Sequence, residues 1–177
     1  MISIINYGLG NVLAFQNIFK KLNIESKVVS NASELAQVSK IILPGVGSFD
    51  WAMDKLNNSG MRDQLDYLVL EKKVPVMGIC VGMQMMANSS EEGDRDGLGW
   101  FNAHVKKISS EKDIDLPHMG WNNIIIKNSS SLFEGLKNDA RFYFLHSYYF
   151  ETKEDNSILT ETDYGGLFTS AAQKNNI

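Results

Sequence analysis

The feature that most constrains this chain is a short apolar run that stops at a cysteine with a glycine two residues away on either side. Residues 74–84 read Val-Pro-Val-Met-Gly-Ile-Cys-Val-Gly-Met-Gln. The pattern predicts a buried strand over residues 74–79, a tight turn at Cys80 and a helix directly after it. Gly78 and Gly82 are expected there because a side chain at either position would collide with the neighbouring strand or helix. This is the pattern of a Gly-x-nucleophile-x-Gly elbow, with cysteine as the nucleophile.

A lone cysteine is more often a small apolar side chain that fills a core. The flanking glycines and the switch from strand to helix favour the nucleophile in this chain. A thiol at a helix N-terminus is exposed to the positive end of the helix dipole. We therefore expect a lowered pKa and a reactive thiolate at Cys80.

Composition bounds the class of protein. The chain has 177 residues, of which 44% are hydrophobic and 21% charged, which is typical of one soluble globular domain over residues 1–177. The net charge is −4 and no block of Lys and Arg occurs, so a nucleic-acid partner is not expected. Apolar stretches are too short to cross a bilayer and no charged leader precedes one, which predicts a cytoplasmic protein. The single cysteine and the spacing of His104, His118 and His146 predict neither a disulfide nor a metal site.

The first half of the chain alternates strands with helices. Strands are predicted over residues 1–6, 25–29 and 40–43, before the strand that leads to Cys80. Helices are predicted over residues 12–22, 31–38, 49–56 and 61–71, with Asn31 as an N-cap. This order is typical of an α/β fold with a mostly parallel sheet that helices cover on both faces.

The second half of the chain has a different sequence pattern. Residues 88–99 form a polar, glycine-rich segment that is predicted to be a loop. Strand-like runs then follow at residues 101–108, 122–126, 141–145, 148–150, 157–161 and 168–173. We expect a single α/β domain whose second half adds β-ribbons around the face that carries Cys80.

Two other segments are candidates for chemistry. Residues 44–49, Pro-Gly-Val-Gly-Ser-Phe, follow the third strand and should lie at the carboxyl edge of the sheet, where open α/β folds bind ligands. The N–H groups of Gly47 and Val81 could together hold an oxyanion beside Cys80, although Pro-Gly is also common in plain turns. His146-Ser147-Tyr148 follows an apolar strand. A histidine beside aromatic residues is more often structural than a base, so this segment is interpreted only as lining a ligand site.

Six motifs together resemble one family. They are Asn-Tyr-Gly-Leu-Gly-Asn at 6–11, Pro-Gly-Val-Gly-Ser-Phe at 44–49, Gly-Ile-Cys-Val-Gly-Met-Gln at 78–84, Gly-Leu-Gly at 97–99, Leu-Pro-His-Met-Gly-Trp-Asn at 116–122 and His-Ser-Tyr at 146–148. The chain resembles the class I (triad) glutamine amidotransferases, and more closely the glutaminase subunits of imidazole glycerol phosphate synthases. The resemblance runs almost from end to end.

The resemblance implies a flavodoxin-like, three-layer α/β/α fold and hydrolysis of L-glutamine to glutamate and ammonia without a cofactor. The ammonia would pass to a (β/α)8-barrel cyclase subunit in histidine biosynthesis. Cys80 would form a glutamyl thioester. The remaining roles that the family implies are the oxyanion site at Gly47 and Val81, glutamine binding at Gln84, Glu92, His146, Ser147 and Tyr148, and the partner interface at Asn11, Trp121 and Tyr143.

The chain departs from the family in one respect. The family completes its catalytic triad with a downstream His-Pro-Glu, and this tripeptide does not occur in the 177 residues. We therefore expect a domain that lacks its C-terminal segment, with an open pocket at Cys80 and impaired catalysis. Two alternatives remain open: a paralogous subunit that supplies ammonia for amidination of a surface sugar, and a catalytically incomplete subunit that only binds a partner.

Overall fold

A parallel sheet forms the centre of the molecule. The computed structural model describes residues 1–109, 114–136 and 140–177. The sheet has the order β2-β1-β3-β4 and all its pairings are parallel. Its strands are β1 Ile2–Ile5, β2 Ser26–Val29, β3 Ile41–Gly45 and β4 Val76–Cys80. These strands are rich in β-branched residues, and the two central strands, β1 and β3, are mostly buried, as expected for a parallel sheet. The predicted α/β fold with a mostly parallel sheet is confirmed.

The helices follow the strands in the predicted order. They are α1 Val12–Lys21, α2 Phe49–Asn58, α3 Arg62–Asp66 and α4 Val81–Gln84. The predicted helix at 31–38 is instead a short 3-10 helix, Ala32–Gln37, although Asn31 does cap it by accepting from the Glu34 N–H at 3.2 Å. The predicted helix at 61–71 continues beyond α3 as the π-helix Tyr67–Glu71, in which the Lys72 N–H donates to the Tyr67 carbonyl at 3.0 Å.

Helix α2 shows why its sequence folds as it does. Phe49, Ala52, Met53 and Leu56 are fully buried, and their spacing places them on one face of an α-helix. They belong to the hydrophobic cluster that contains the sheet. Phe150, from the second half of the chain, lies in the same cluster. The two halves of the described chain therefore share a core.

The second half consists of small antiparallel and mixed sheets. One has the order β10-β6-β5, one pairs β7 with β9, and one has the order β12-β11-β8. The strands are β5 Ser89–Ser90, β6 Ala103–Lys107, β7 His118–Asn123, β8 Ile125–Ile126, β9 Arg141–His146, β10 Tyr148–Thr152, β11 Ile158–Asp163 and β12 Leu167–Ala172.

Two differences from the predicted boundaries come from pairing with distant strands. The strand predicted at 122–126 is divided between two strands. Its start belongs to β7, which begins at His118 and pairs with β9, from His118 opposite His146 to Asn123 opposite Arg141. Its end is β8, which pairs with β11. The loop predicted at 88–99 contains the two-residue strand β5, which pairs with β6. In both cases a partner strand that is distant in sequence supplies the hydrogen bonds that decide the boundary.

Candidate active site

Cys80 lies on a sharp turn between β4 and α4. Its backbone angles are φ 58° and ψ −122°, a left-handed conformation that is uncommon for a residue with a side chain. The residue is exposed at the carboxyl end of the sheet. The predicted tight turn from strand to helix at Cys80 is confirmed, and its backbone angles are strained.

Glycines make this turn possible. A Cβ on Gly82 would overlap the carbonyl oxygen of Leu43 on β3, and a Cβ on Gly78 would lie 2.7 Å from the backbone of Met83. Both expected glycine roles are therefore confirmed. Gly45, which pairs with Cys80 in register, has the same role, since a Cβ there would lie 2.7 Å from the backbone of Val81. Sequence reasoning missed this third close approach.

The pKa of the Cys80 thiol is shifted in the opposite direction from the one expected. Burial raises the pKa of Cys80, the Val81 N–H at the sulfur lowers it, and the negative charge of Glu92 raises it further. The expected lowering of the pKa is therefore wrong in its net direction. Helix α4 has only four residues, so its dipole is small, and the surrounding protein atoms outweigh it. Cys80 remains open to solvent on one side, so a substrate has access to the sulfur.

The two predicted oxyanion donors lie on either side of this turn. Val81 follows Cys80 directly, and its N–H already contacts the sulfur. Gly47 lies two residues beyond Gly45, the residue that pairs with Cys80, and has φ 91°. This left-handed conformation is one that glycine adopts without strain. The geometry brings both segments to one edge of the sheet, and the oxyanion role of the Gly47 N–H stays a prediction.

Glu92 is fixed against the start of α2. One of its carboxylate oxygens accepts from the Phe49 N–H at 2.8 Å. Asp50, on α2, binds the loop that carries Glu92 in return: its two carboxylate oxygens accept from the N–H groups of Asp94 and Arg95, each at 3.0 Å. Sequence reasoning missed the role of Asp50. Acidic residues are favoured in the first turn of a helix, so its position indicated a contact with the helix N-terminus. Nothing in the sequence indicated that it binds the loop that carries Glu92. The Glu92 loop is thereby held near Cys80.

Gln84 joins α4 to β10. Its side-chain Nε2 donates to the backbone carbonyl of Tyr148 at 3.1 Å. The same carbonyl accepts from Nδ1 of His146 at 3.0 Å, and the Ser147 carbonyl accepts from the Ile108 N–H at 2.9 Å. The predicted binding residues on α4 and at the junction of β9 and β10 are thus brought together.

Tyr7 is a second residue that the sequence analysis did not single out. It follows β1, is buried, and its hydroxyl donates to the Pro44 carbonyl at 2.8 Å. Burial and the nearby charge of Cys80 raise the pKa of Tyr7, so it remains a neutral donor. The motif at residues 6–11, which contains Tyr7, was the available signal.

The predicted interface residues do not form one cluster. Trp121 and Tyr143 face each other across β7 and β9, with ring centroids 5.8 Å apart, and are 62% and 56% exposed. Met119 and Leu145 extend the same exposed face. Asn11 lies elsewhere, at the start of α1, where its side chain caps the helix by accepting from the Ala14 N–H at 3.2 Å.

All three histidines lie within the described residues, and their ring bonds are made to groups other than Cys80. His104 bonds Ser89 at 2.6 Å, and His118 bonds His146 at 2.9 Å. Across residues 1–109, 114–136 and 140–177, no group of His, Cys, Asp and Glu is arranged to hold a metal ion. No helix in these ranges is long and apolar enough to cross a membrane.

Comparison with known proteins identifies the family. Residues 3–176 match the family "Glutamine amidotransferase class-I". The chain is 49% identical to "Imidazole glycerol phosphate synthase subunit HisH" of Leptospira interrogans and 52% identical to the protein of that name from Bdellovibrio bacteriovorus. Each alignment covers 100% of this chain and 88% of the relative.

Solved structures show the same fold. A crystal structure described as a glutamine amidotransferase superposes with a TM-score of 0.70 at 19% identity, covering 96% of this chain and 88% of that chain. A glutamine amidotransferase from Thermotoga maritima gives a TM-score of 0.58 at 17% identity, over 94% of this chain and 72% of that one. The chain belongs to the class-I glutamine amidotransferase family, within the group of imidazole glycerol phosphate synthase subunits.

The charge of Glu92 generates a testable prediction at the thiol. Glu92→Gln keeps an oxygen that accepts from the Phe49 N–H but removes the negative charge that raises the Cys80 pKa. We expect the thiol pKa to fall and alkylation by iodoacetamide at neutral pH to become faster, because the thiolate is the reacting form. Alkylation rates across a pH series measure this directly, since Cys80 is the single cysteine.

The matched control is Glu91→Gln. Glu91 accepts from the Lys107 N–H at 2.8 Å and does not act on the Cys80 pKa. Its alkylation profile should overlay that of the unmodified chain. A Glu92→Gln profile that also overlays it would show that the carboxylate does not influence the thiol.

Proposed function

We propose that this chain hydrolyses L-glutamine to glutamate and ammonia as the glutaminase subunit of an imidazole glycerol phosphate synthase, in histidine biosynthesis. The observation that carries the proposal is the position of Cys80, with positive φ, on the turn between β4 and α4. The chain matches the class-I amidotransferase family almost from end to end. The names of the relatives favour this function over sugar amidination. Such a biosynthetic role is compatible with a cytoplasmic location.

The chemistry begins at the Cys80 sulfur. The thiolate attacks the side-chain amide carbon of glutamine and forms a carbon–sulfur bond, while the carbonyl electrons move onto oxygen. The Val81 N–H, which contacts the sulfur, and the Gly47 N–H are the proposed donors to this oxyanion. The carbon–nitrogen bond then breaks, the nitrogen takes a proton and ammonia leaves. Water hydrolyses the thioester to glutamate and regenerates the thiol.

The surrounding groups suit the charged amino-acid head of glutamine. Glu92 accepts one hydrogen bond from the Phe49 N–H. Because a carboxylate accepts several hydrogen bonds, Glu92 can also bind the ammonium group of a substrate. Gln84 and the 146–148 segment are already joined by hydrogen bonds. We propose that these groups bind the amino-acid head of glutamine and hold its amide over Cys80.

The partner is proposed to be a (β/α)8-barrel synthase subunit that receives the ammonia. The exposed face of Met119, Trp121, Tyr143 and Leu145 supports a protein interface, since contiguous apolar and aromatic residues on a surface are typical of one. Trp and Tyr are also enriched among the few residues that carry most of the binding energy in such interfaces. Asn11 is proposed to contribute at the rim from α1.

The general base for Cys80 is proposed to lie outside these 177 residues, on a domain segment that carries His-Pro-Glu. The support is structural: His118 and His146 bond each other, and His104 bonds Ser89. A thiol whose pKa is raised by burial needs an adjacent base to become a nucleophile at neutral pH.

The proposed nucleophile is tested with a glutamine analogue that carries chloride beside its terminal carbonyl. Sulfur attack forms one carbon–sulfur bond and releases chloride, so mass spectrometry should show a single added group on Cys80. L-glutamine should slow the labelling and D-glutamine should not. In the complex of the partner with a chain continued by a family segment that contains His-Pro-Glu, Cys80→Ala should lower glutamate release by ~10^4-fold or more. Labelling that survives Cys80→Ala would show that another residue is the nucleophile.

The proposed base is tested by comparing residues 1–177 with the same chain continued by a family segment that contains His-Pro-Glu. Each is assayed for glutamate release with its partner. We expect the continued chain to be faster by ~10^3- to 10^4-fold, the usual effect of a catalytic base in such a triad. A continuation in which this His is replaced by Ala is the control and should not raise the rate. Equal rates for all three would place the base within residues 1–177.

The proposed interface is tested with Trp121→Ala. Loss of an exposed aromatic anchor should weaken partner binding by about 2 kcal/mol, or roughly 30-fold in Kd by calorimetry. Leu167→Ala is the control, because Leu167 is similarly exposed, at 59%, but lies on β12. Equal affinities for the two variants would exclude the Trp121 face as the interface.

A further inference from the structure

The inner face of the β7 and β9 pair holds two hydrogen-bonded histidines. His118 is 3% exposed and lies opposite His146 in register. Nδ1 of His118 is 2.9 Å from Nε2 of His146, and Nδ1 of His146 is 3.0 Å from the carbonyl oxygen of Tyr148. On the other side, Nδ2 of Asn122 is 3.3 Å from Nε2 of His118. These groups form one continuous chain of hydrogen bonds from β7 to the start of β10.

The carbonyl at one end of the chain of hydrogen bonds shows which tautomers are present. A carbonyl oxygen accepts but does not donate, so Nδ1 of His146 must carry the proton. In the neutral ring Nε2 of His146 then accepts, and Nδ1 of His118 is the donor. This leaves Nε2 of His118 as an acceptor for the Asn122 amide. Each step is consistent only with two neutral rings in the Nδ1–H form.

The other end of the chain is oriented independently. Nδ2 of Asn122 also donates to the Asp163 carbonyl at 3.0 Å, and its Oδ1 accepts from the Asn123 N–H at 2.8 Å. The amide therefore has to present its NH2 group, rather than its oxygen, to His118. Burial lowers the pKa of both histidines, which keeps the two rings neutral as this pattern requires.

Stacking fixes the plane of the His118 ring. The ring lies between Phe144 and Tyr164, with centroid distances of 4.8 Å and 4.0 Å and interplanar angles of 18° and 19°. A ring held on both faces directs its two nitrogens along fixed lines. The Nδ1–H of His118 is thus preorganised toward His146.

The chain of hydrogen bonds ends at the proposed glutamine site. The Tyr148 carbonyl that accepts from His146 also accepts from Nε2 of Gln84 at 3.1 Å. Gln84 is the last residue of α4, the helix that starts directly after Cys80. The orientation of the His146 ring therefore influences the carbonyl to which α4 is tied.

We propose that His118 is a positioning residue for the glutamine site: it holds His146 in the Nδ1–H tautomer and so fixes the Tyr148 carbonyl against Gln84. This inference rests on the proposed function, because it assigns His118 to the same glutamine site. Without a donor at position 118, Nε2 of His146 has no partner from β7, and the ring is free to adopt the other tautomer and release Tyr148. A purely structural His118 would contribute its stacking and nothing else.

Three variants separate these roles. His118→Phe keeps an aromatic ring between Phe144 and Tyr164 but removes the donor to His146. His118→Asn loses the ring but places an amide donor close to the position of Nδ1. Tyr164→Phe is the control, because it keeps the stack and removes only the hydroxyl that donates to the Asp115 carbonyl at 2.8 Å.

The first measurement is the tautomer of His146 by long-range 1H–15N NMR on chain labelled at its three histidines. The unmodified chain and Tyr164→Phe should show the Nδ1–H form. His118→Phe should show a mixture of tautomers, and His118→Asn should restore the Nδ1–H form. An unchanged His146 tautomer in a folded His118→Phe variant would overturn the proposal.

The second measurement is glutamine turnover in the complex of the partner with a chain continued by the family segment that contains His-Pro-Glu. Loss of one positioning hydrogen bond at a binding group should raise the KM of His118→Phe by ~3- to 10-fold, with kcat changed less than about twofold. His118→Asn should recover most of this loss. A KM for His118→Phe equal to that of Tyr164→Phe would overturn the proposal. Absence of turnover in the unmodified complex would refute the proposed function, and the tautomer measurement would then decide whether His118 positions His146.

Discussion

The close approach of α4 to β3 is the constraint on which the rest of the site depends. Gly82 lies so near the Leu43 carbonyl that no side chain fits between them, and a Cβ on Gly45 would lie 2.7 Å from the backbone of Val81. Because the helix must start within this narrow space, the chain has to reverse sharply at Cys80, and it does so with φ 58°. The strain of that one residue is offset by the buried sheet and by α2 around it. The sulfur is consequently presented at the edge of the sheet.

The N-terminus of α2 organises the other side of the pocket. Glu92 accepts from the first N–H of the helix, and Asp50 accepts two N–H groups from the loop that carries Glu92. These reciprocal bonds give a polar loop a defined position without a hydrophobic core of its own. They also bring a negative charge near the thiol, which raises the Cys80 pKa. The group that favours a substrate with an ammonium end therefore makes the free thiol less acidic, and formation of the thiolate depends on a base.

Side chains alternate between the two faces of the β7 and β9 pair, so one face is exposed and the other holds the histidine pair. Met119 and Trp121 point outward and are exposed, whereas His118, on the same strand β7, is buried and hydrogen-bonded to His146 on β9. A partner that binds the outer face would therefore contact the same strands that hold the histidine pair. This arrangement gives a short physical connection between the proposed interface and the Tyr148 carbonyl.

The sequence by itself determined the elements whose cause is local. Apolar runs and their spacing predicted the parallel sheet and α2, and the glycines around Cys80 predicted the elbow, because backbone geometry there depends on neighbouring residues. Only the tertiary structure decided the features that depend on distant segments. The direction of the Cys80 pKa follows from burial and from Glu92, the start of β7 from its pairing with β9, and the His118–His146 bond from residues 28 positions apart. Desolvation and strand pairing are properties of the assembled neighbourhood, and periodicity along the chain does not encode them.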